Sequence, residues 1–383
     1  MRKIYVLTGK RGGYGAIKQM LKALDENKNI NLSLAVTDQH LDKKFGYTVN
    51  EIKKDFKVKY EIPLYQNGSS TLDRAIALSN AVKGISLTLE ECKPDICILY
   101  GDRGEVLSAA LAATTLGIPI AHIQGGDVSG SIDEQMRHSI TKLSHLHYVS
   151  NSQSALNVEM MGEEKWRVLN VGDCHLDEIM AKKFFSATKV KNLLSLDTKK
   201  KIVILLQHPE TTEPEKSYLQ MKTTLESLKS FDFKIIAIKP CSDPGYEGTI
   251  QALNEYAEFL DMEIFTNLEA PLFWGLQNIA NLMIGNSSAG IIESTAFKLP
   301  TVNIGRRQNL RLCSKNIISV THNVIDIKNA IKKILYDNAY LQIIQSAPNL
   351  YGNGKAGLKI ADHISKIKID KNLILKNLSY ASK

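Results

Sequence analysis

The sequence lacks any pair of cysteines at CxxC spacing: Cys92, Cys97, Cys174, Cys241 and Cys313 are scattered, which argues against a zinc site or a redox motif. Reduced, mostly buried thiols are the expectation. There is no run near the roughly 18 uninterrupted apolar residues of a membrane span. The apolar run at the N-terminus stops at Gly9, too soon for a secretory signal, so a cytoplasmic protein away from membranes is expected. Only 10 of the residues are proline, and no internal repeat or low-complexity tract is evident. Acidic residues are outnumbered, 40 against 48 basic ones, and the net charge of +8 favours an anionic partner. The lysines are spread along the chain and densest in "KIKIDKNLILKNLSYASK". That pattern reads as a solvated face rather than a nucleic-acid patch, and small phosphorylated ligands suit the charge.

A chain of 383 residues is too long for one ordinary core and predicts two domains. Strand-like runs alternate with helical patterns. "KIYVLT", "INLSLAVT", "DICILYG", "PIAHIQ", "HLHYVS" and "WRVLNVGD" form one series, and "KIVILLQ", "KIIAIKP", "NLMIG" and "PTVNIG" a second. This alternation predicts an α/β fold of two Rossmann-like, doubly wound domains with parallel sheets covered on both faces. The boundaries expected are 1–173, 174–365 and a basic tail 366–383. Open parallel sheets bind ligands at the carboxyl ends of their strands, so the residues just after each run are the informative ones.

The first of these is "GKRGGYG" at residues 9–15. Gly9-Lys10 is followed by Arg11, where a phosphate-binding P-loop needs Ser or Thr, and the glycines miss the dinucleotide spacing. The stretch is therefore a glycine-rich strand-to-helix turn of neither common kind. Asp102 and Arg103 follow "DICILYG" and offer an acid and a base, or a structural salt bridge. Gln124 and the Gly125-Gly126-Asp127 turn follow "PIAHI", and Asp127, Asp133, Glu134, Arg137 and His138 then fall within twelve residues. Ser131-Ile132-Asp133-Glu134 reads as a helix start. Clustered carboxylates raise one another's proton affinity, which suits acid–base work; the alternative is a capping acid with a surface Asp133–Arg137 pair. His208 directly follows "KIVILLQ". Ser287 and Ser288 open a helix whose N-terminus is able to hold a diphosphate, with Glu293 about a turn further on for a ribose diol, or else they are N-caps. His145 and His147 are read as strand positions with no metal role.

Taken together and in order, "GDRxE", "HIxGG-acid…ID-acid…RHSITKLSHLH", "QHPETT", "GNSSxGIxE" and "NIGxRQ" resemble the hydrolysing UDP-N-acetylglucosamine 2-epimerases, over nearly the whole chain to about residue 365. The resemblance implies a GT-B-like pair of domains with the active site in the cleft between them, a homodimer or homotetramer, and no cofactor or metal. It implies removal of the C2 proton and loss of UDP from UDP-GlcNAc to give 2-acetamidoglucal, which water converts to N-acetylmannosamine for sialic acid-type sugars. A close relative acts on a nucleotide-linked 2,4-diacetamido-trideoxyhexose of the legionaminic acid route. That substrate, UDP- or GDP-linked, is the alternative, as is a nucleotide-sugar-binding protein that has lost turnover.

Carried over by position, Asp102, Asp133 and Glu134 are the proton-transfer and sugar-binding acids, with Asp127 in the same set. Arg137 holds them in place and His208 assists the leaving diphosphate. Ser287, Ser288, Glu293 and Arg307 hold the nucleotide, joined by Arg11 and Arg103, and Gln124 lies among the substrate contacts but cannot act as a base. Several positions depart from the family pattern. Gly13 stands where relatives carry an acid, Asp127 where they carry the longer Glu, Leu310 where glycine is common, Cys241 where Asn is common, and Cys313 where a basic or small residue is. Several of these changes fall around the nucleotide and the sugar and point toward the alternative substrate, with UDP-GlcNAc kept as the first expectation.

Overall fold

The computed structural model describes residues 1–68, 70–128, 133–196, 199–210, 212–240 and 243–380, and the elements below are those of the described residues. Cys241 and the expected helix start at Ser131-Ile132 lie outside them. The chain divides into one unit of Met1–Asp127, Ile132–Asp177 and Tyr351–Lys383, and another built on Glu178–Leu350.

The first unit carries β1 (Arg2–Thr8), β2 (Ile30–Thr37), β3 (Val58–Ile62), β4 (Ile96–Tyr100), β5 (Ile120–Ile123), β6 (Leu146–Val149) and β7 (Val168–Asn170). They form a parallel sheet in the order β3-β2-β1-β4-β5-β6-β7. Side chains alternate across it, as the two-residue period of a strand requires. Ile4 and Val6 enter one apolar layer with Ile17, Met20 and Leu24 of the helix Arg11–Asp25. Tyr5 and Leu7 enter the other, against the helices Thr71–Cys92 and Gly104–Thr115. The order reverses between β1 and β4, where Tyr5 of β1 is flanked by Ser33 and Cys97. That crevice is where such sheets bind ligands.

The second unit repeats the plan with β8 (Lys201–Leu206), β9 (Phe233–Ile238), β10 (Met262–Phe265), β11 (Leu282–Gly285), β12 (Thr301–Ile304) and β13 (Ile317–Val320). The order β10-β9-β8-β11-β12-β13 puts its reversal between β8 and β11. Val203 and Leu205 face one apolar layer, and Ile202, Ile204 and Leu206 the other.

The C-terminal segment departs from the sequence reading. Residues 351–365, expected with the second domain, belong to the first unit. Asp177 accepts the Ala356 and Gly357 N–H groups at 2.9 and 2.7 Å and so anchors the helix Ala356–Lys366. A Cβ on Gly357 would lie 2.6 Å from the Met20 nitrogen, so glycine lets this helix approach Arg11–Asp25 closely. The basic tail is not a solvated appendage either. The buried Arg167 guanidinium donates to the carbonyls of Asn372, Leu373 and Leu375 at 2.6–2.9 Å. Lys376 reaches the buried Glu163 at 2.8 Å.

"GKRGGYG" is a strand end followed directly by a helix: Lys10 is the N-cap and the helix begins at Arg11. Gly9 is required by Glu105, which is 1% exposed and paired with Arg74 at 2.9 Å and Arg103 at 3.4 Å. A Cβ on Gly9 would come within 2.6–2.8 Å of the Glu105 side-chain carbons. Gly9→Ala is therefore expected to displace Glu105 from its arginines and cost about 1–3 kcal/mol, the usual range for overpacking. A urea midpoint equal to that of the unsubstituted protein would contradict this.

Candidate active site

In the first unit the predicted residues gather at the carboxyl ends of β4 and β5. Gly101, at φ +87, turns the chain out of β4; its N–H donates to the Ile123 carbonyl at 3.0 Å and its own carbonyl accepts from His122 Nε2 at 2.8 Å. His122 is fully buried, and burial pushes its imidazole down to about 3, so it serves as a neutral strut. Asp102 follows, and its carboxylate is held by Arg137 Nη2. Arg137 is 4% exposed and also donates to the Asp127 carbonyl at 2.8 Å. It comes from the helix Asp133–Leu143, whose inward residues are Arg137, Ile140 and Thr141. The arginine thus ties the loop after β4 to the loop after β5.

Asp127 is 7% exposed, and its Oδ1 accepts the hydroxyls of Ser150 at 2.9 Å and Ser154 at 2.5 Å. Gly126, at φ +78, lies against the Ser154 carbonyl where no Cβ fits, and its own carbonyl accepts from Asn157 at 2.8 Å. Asp127 therefore also anchors the double-glycine turn to the helix Ser152–Met160. Asp133 and Glu134 stand half-buried in the first turn of their helix, with Glu134 3.4 Å from His138 Nε2.

Three residues that the sequence reading did not single out, Tyr100, Asp173 and His175, join this cluster by way of Gln124. Gln124 has φ +67, a left-handed conformation that costs a non-glycine residue on the order of 1–3 kcal/mol. It is held by its N–H to the Tyr148 carbonyl at 3.0 Å and by Nε2 to Asp173 Oδ2 at 2.9 Å. The other Asp173 oxygen accepts the His175 backbone N–H at 2.8 Å and His175 Nδ1 at 2.9 Å. Tyr100 Oη lies 3.3 Å from that same nitrogen. Burial works to raise the Asp173 carboxyl, but the His175 charge and the hydrogen bonds outweigh it and hold it below the usual range. Burial first, then the charges of Asp173 and Asp102 among others, drives the Tyr100 phenol well up. Asp173 and His175 follow β7, the place where the strand-end rule points.

The two arginines expected at a phosphate in this unit have other partners. Arg11 is about half exposed and sits 3.2 Å from Glu51, a surface pair of little energetic weight. Arg103 turns its Nε toward Glu105. Gly13 leaves space: a Cβ there would meet Tyr100 Cδ1 at 3.5 Å, ordinary contact.

In the second unit Asn286 is the organiser. It is 1% exposed and brackets His208, accepting its N–H at 2.7 Å and donating to its carbonyl at 2.9 Å. The Asn286 carbonyl accepts Arg307 at 3.3 Å and Gln308 at 3.0 Å. Burial, and then the Arg307 charge, pushes the His208 imidazole down to about 3, so His208 is neutral. Ser287 Oγ accepts the Ala289 N–H at 3.3 Å, while Ser288, the N-cap, makes no side-chain cap bond. Glu293 Oε2 accepts Trp274 Nε1 at 3.1 Å and Gln277 Nε2 at 2.8 Å. Glu210 accepts the Arg306 N–H at 2.6 Å and His322 Nε2 at 3.0 Å, and the His322 bond foremost keeps it below the usual carboxylate range. Leu310 is 80% exposed at φ +67. Asp102, Asp127 and Arg137 are thus joined by direct contacts in one unit, and His208 and Arg307 by way of Asn286 in the other.

Among the described residues no helix is long and apolar enough to cross a membrane. In fold, the chain is similar to a UDP-GlcNAc 2-epimerase of Neisseria meningitidis bound to UDP-GlcNAc, with a TM-score of 0.82 at 17% identity, covering 96% of this chain and 100% of that one. In sequence it is 38% identical over 347 residues to the UDP-N,N'-diacetylbacillosamine 2-epimerase (hydrolyzing) of Legionella pneumophila, spanning 89% of this chain and 92% of that protein. It is 31% identical over 338 residues to a UDP-N-acetylglucosamine 2-epimerase of Neisseria meningitidis serogroup B, spanning 87% of each. Residues 22–365 match the family described as UDP-N-acetylglucosamine 2-epimerase, and the chain belongs to that family.

Proposed function

We propose that the protein is a hydrolysing 2-epimerase whose substrate is a UDP-linked 2,4-diacetamido-trideoxyhexose, released as the free C2-inverted sugar and UDP. The reaction class is supported by the carboxylate of Asp102, fixed by Arg137 at the reversal of the first sheet. In this reading Asp102 takes the C2 proton, the C2–H electron pair becomes the C1=C2 bond, and the C1–O pair leaves with the diphosphate. Asp133 and Glu134 hold sugar hydroxyls. Neutral His208, Ser287, Ser288 and Arg307 give hydrogen bonds and charge to the diphosphate as it leaves, where fixed dipoles act most strongly. Glu293, already bonded to Trp274 and Gln277, faces the nucleoside.

The substrate is carried by one observation: the relative named for diacetylbacillosamine is 38% identical, against 31% for the one named for UDP-N-acetylglucosamine. UDP-GlcNAc, the first substrate expected from the resemblance, therefore takes second place. The test is a panel of UDP-GlcNAc and the UDP- and GDP-linked diacetamido sugars, with nucleoside diphosphate and free sugar quantified together. Equal amounts of UDP and free sugar are expected from the UDP-linked diacetamido sugar, at a kcat/KM at least tenfold above that for UDP-GlcNAc. Turnover confined to UDP-GlcNAc would overturn the substrate. Binding without turnover across the panel would favour a nucleotide-sugar-binding protein.

A further inference from the structure

Inversion at C2 sets a requirement that one acid does not meet. A proton leaves one face of the sugar and another arrives on the opposite face, so the hydrolysing reaction needs two proton carriers aimed from different sides. Asp102 is one. The structure contains a second group built for proton work, drawn from the strand end the sequence reading passed over.

The loop after β7 brings Asp173 and His175 to Gln124, which follows β5, and to Tyr100, which ends β4. Asp173 has no exposed side-chain surface, and its carboxylate is fully used for positioning. One oxygen takes the Gln124 amide at 2.9 Å; the other takes the His175 N–H at 2.8 Å and His175 Nδ1 at 2.9 Å. A carboxylate only accepts, so Nδ1 carries a proton and Nε2 is the nitrogen that exchanges one. An orienting carboxylate on one imidazole nitrogen fixes the tautomer and stabilises the imidazolium at the other. The ring packs against Tyr100 with centroids 6.2 Å apart, and Asp102 lies two residues beyond Tyr100. The His175 side chain is 32% exposed, unlike the buried histidines 122 and 208. Gln124 is held in a left-handed conformation while it clamps Asp173, which is strain retained where a side chain must be aimed.

We propose that His175, oriented by Asp173 and Gln124, is the second proton carrier of the reaction and acts in hydration of the glycal. This rests on the 2-epimerase reading above. After Asp102 has taken the C2 proton and the diphosphate has left, the C1=C2 electron pair takes a proton from His175 Nε2 at C2. A water oxygen forms the bond to C1, and the water's proton returns to Nε2. The proton on Asp102 passes to solvent as the proton released in hydrolysis, so His175 ends the cycle as it began.

The experiment uses the full-length protein with whichever nucleotide sugar the wild type turns over. His175→Gln is expected to release UDP within about threefold of the wild-type rate, but to raise the ratio of glycal to hydrated sugar at least tenfold. Hydration of added glycal by the variant is expected to fall at least 100-fold. Asp173→Asn, which keeps the imidazole, is expected to shift the product ratio the same way and serves if His175→Gln does not fold. An unchanged ratio in either folded variant overturns the assignment, and so does an equal loss of UDP release and glycal hydration, the mark of a loosened site. A wild-type protein that releases no UDP from any nucleotide sugar removes the 2-epimerase reading and this assignment with it. An active wild type with an unaltered product ratio in the variants removes the His175 assignment alone.

Discussion

Asp102→Asn is expected to slow UDP release by about 10³-fold, within the range a positioned general base contributes and equal to about 4 kcal/mol of transition-state stabilisation. Asparagine keeps the shape of the side chain and an oxygen for the Arg137 guanidinium, so the loops after β4 and β5 should stay joined. What is lost is the acceptor for a carbon-bound proton. UDP affinity, measured by calorimetry, should change less than about threefold, because the diphosphate contacts proposed here lie at His208, Ser287, Ser288 and Arg307. A loss in turnover under tenfold would remove Asp102 from the role of base, and a matching loss of UDP affinity would recast it as a binding residue.

The sheet interiors were legible in the sequence; three of the four edge strands were not. β1, β4 and β5 and β8, β9, β11 and β12 are nearly continuous buried, mostly apolar runs because both faces of a parallel strand are covered. The runs that escaped notice, "VKYEI", "MEIF" and "IISV", became β3, β10 and β13, all at sheet edges. Their residues are largely half-buried or exposed, so the apolar signal is diluted. The site divides the same way. Asp102, Asp127 and Arg137 sit in dense local motifs and follow central strands. Asp173 and His175 follow the edge strand β7, and only the folded path of their loop, turning at Gly172 with φ +94, returns them to Tyr100 and Gln124. No local spacing encodes that return. The fate of the basic tail was hidden for a related reason: its anchors are backbone carbonyls, taken by an arginine some 200 residues earlier.

Arg137→Met should destabilise the protein by about 3 kcal/mol as well as impair catalysis. Removing one member of a buried ion pair leaves the other charge uncompensated, which typically costs 3–5 kcal/mol. The Asp102 side chain keeps 23% exposure, so water recovers part of that loss and places the expectation at the lower end. The Asp127 carbonyl also loses its donor. Arg137→Lys retains the charge, but an ammonium lacks the planar fork that reaches the carboxylate and the carbonyl together, and an intermediate cost is expected. Urea unfolding checks both, and a shift under 1 kcal/mol for Arg137→Met would mean that the guanidinium is dispensable to the fold. The double variant with Asp102→Asn is the sharper measurement. With the carboxylate neutralised, the unpaired charge that makes Arg137→Met costly is gone, so the double variant should be more stable than the sum of the single losses allows. Strict additivity would mean that Arg137 contributes through packing and through Asp127, not by holding the Asp102 carboxylate.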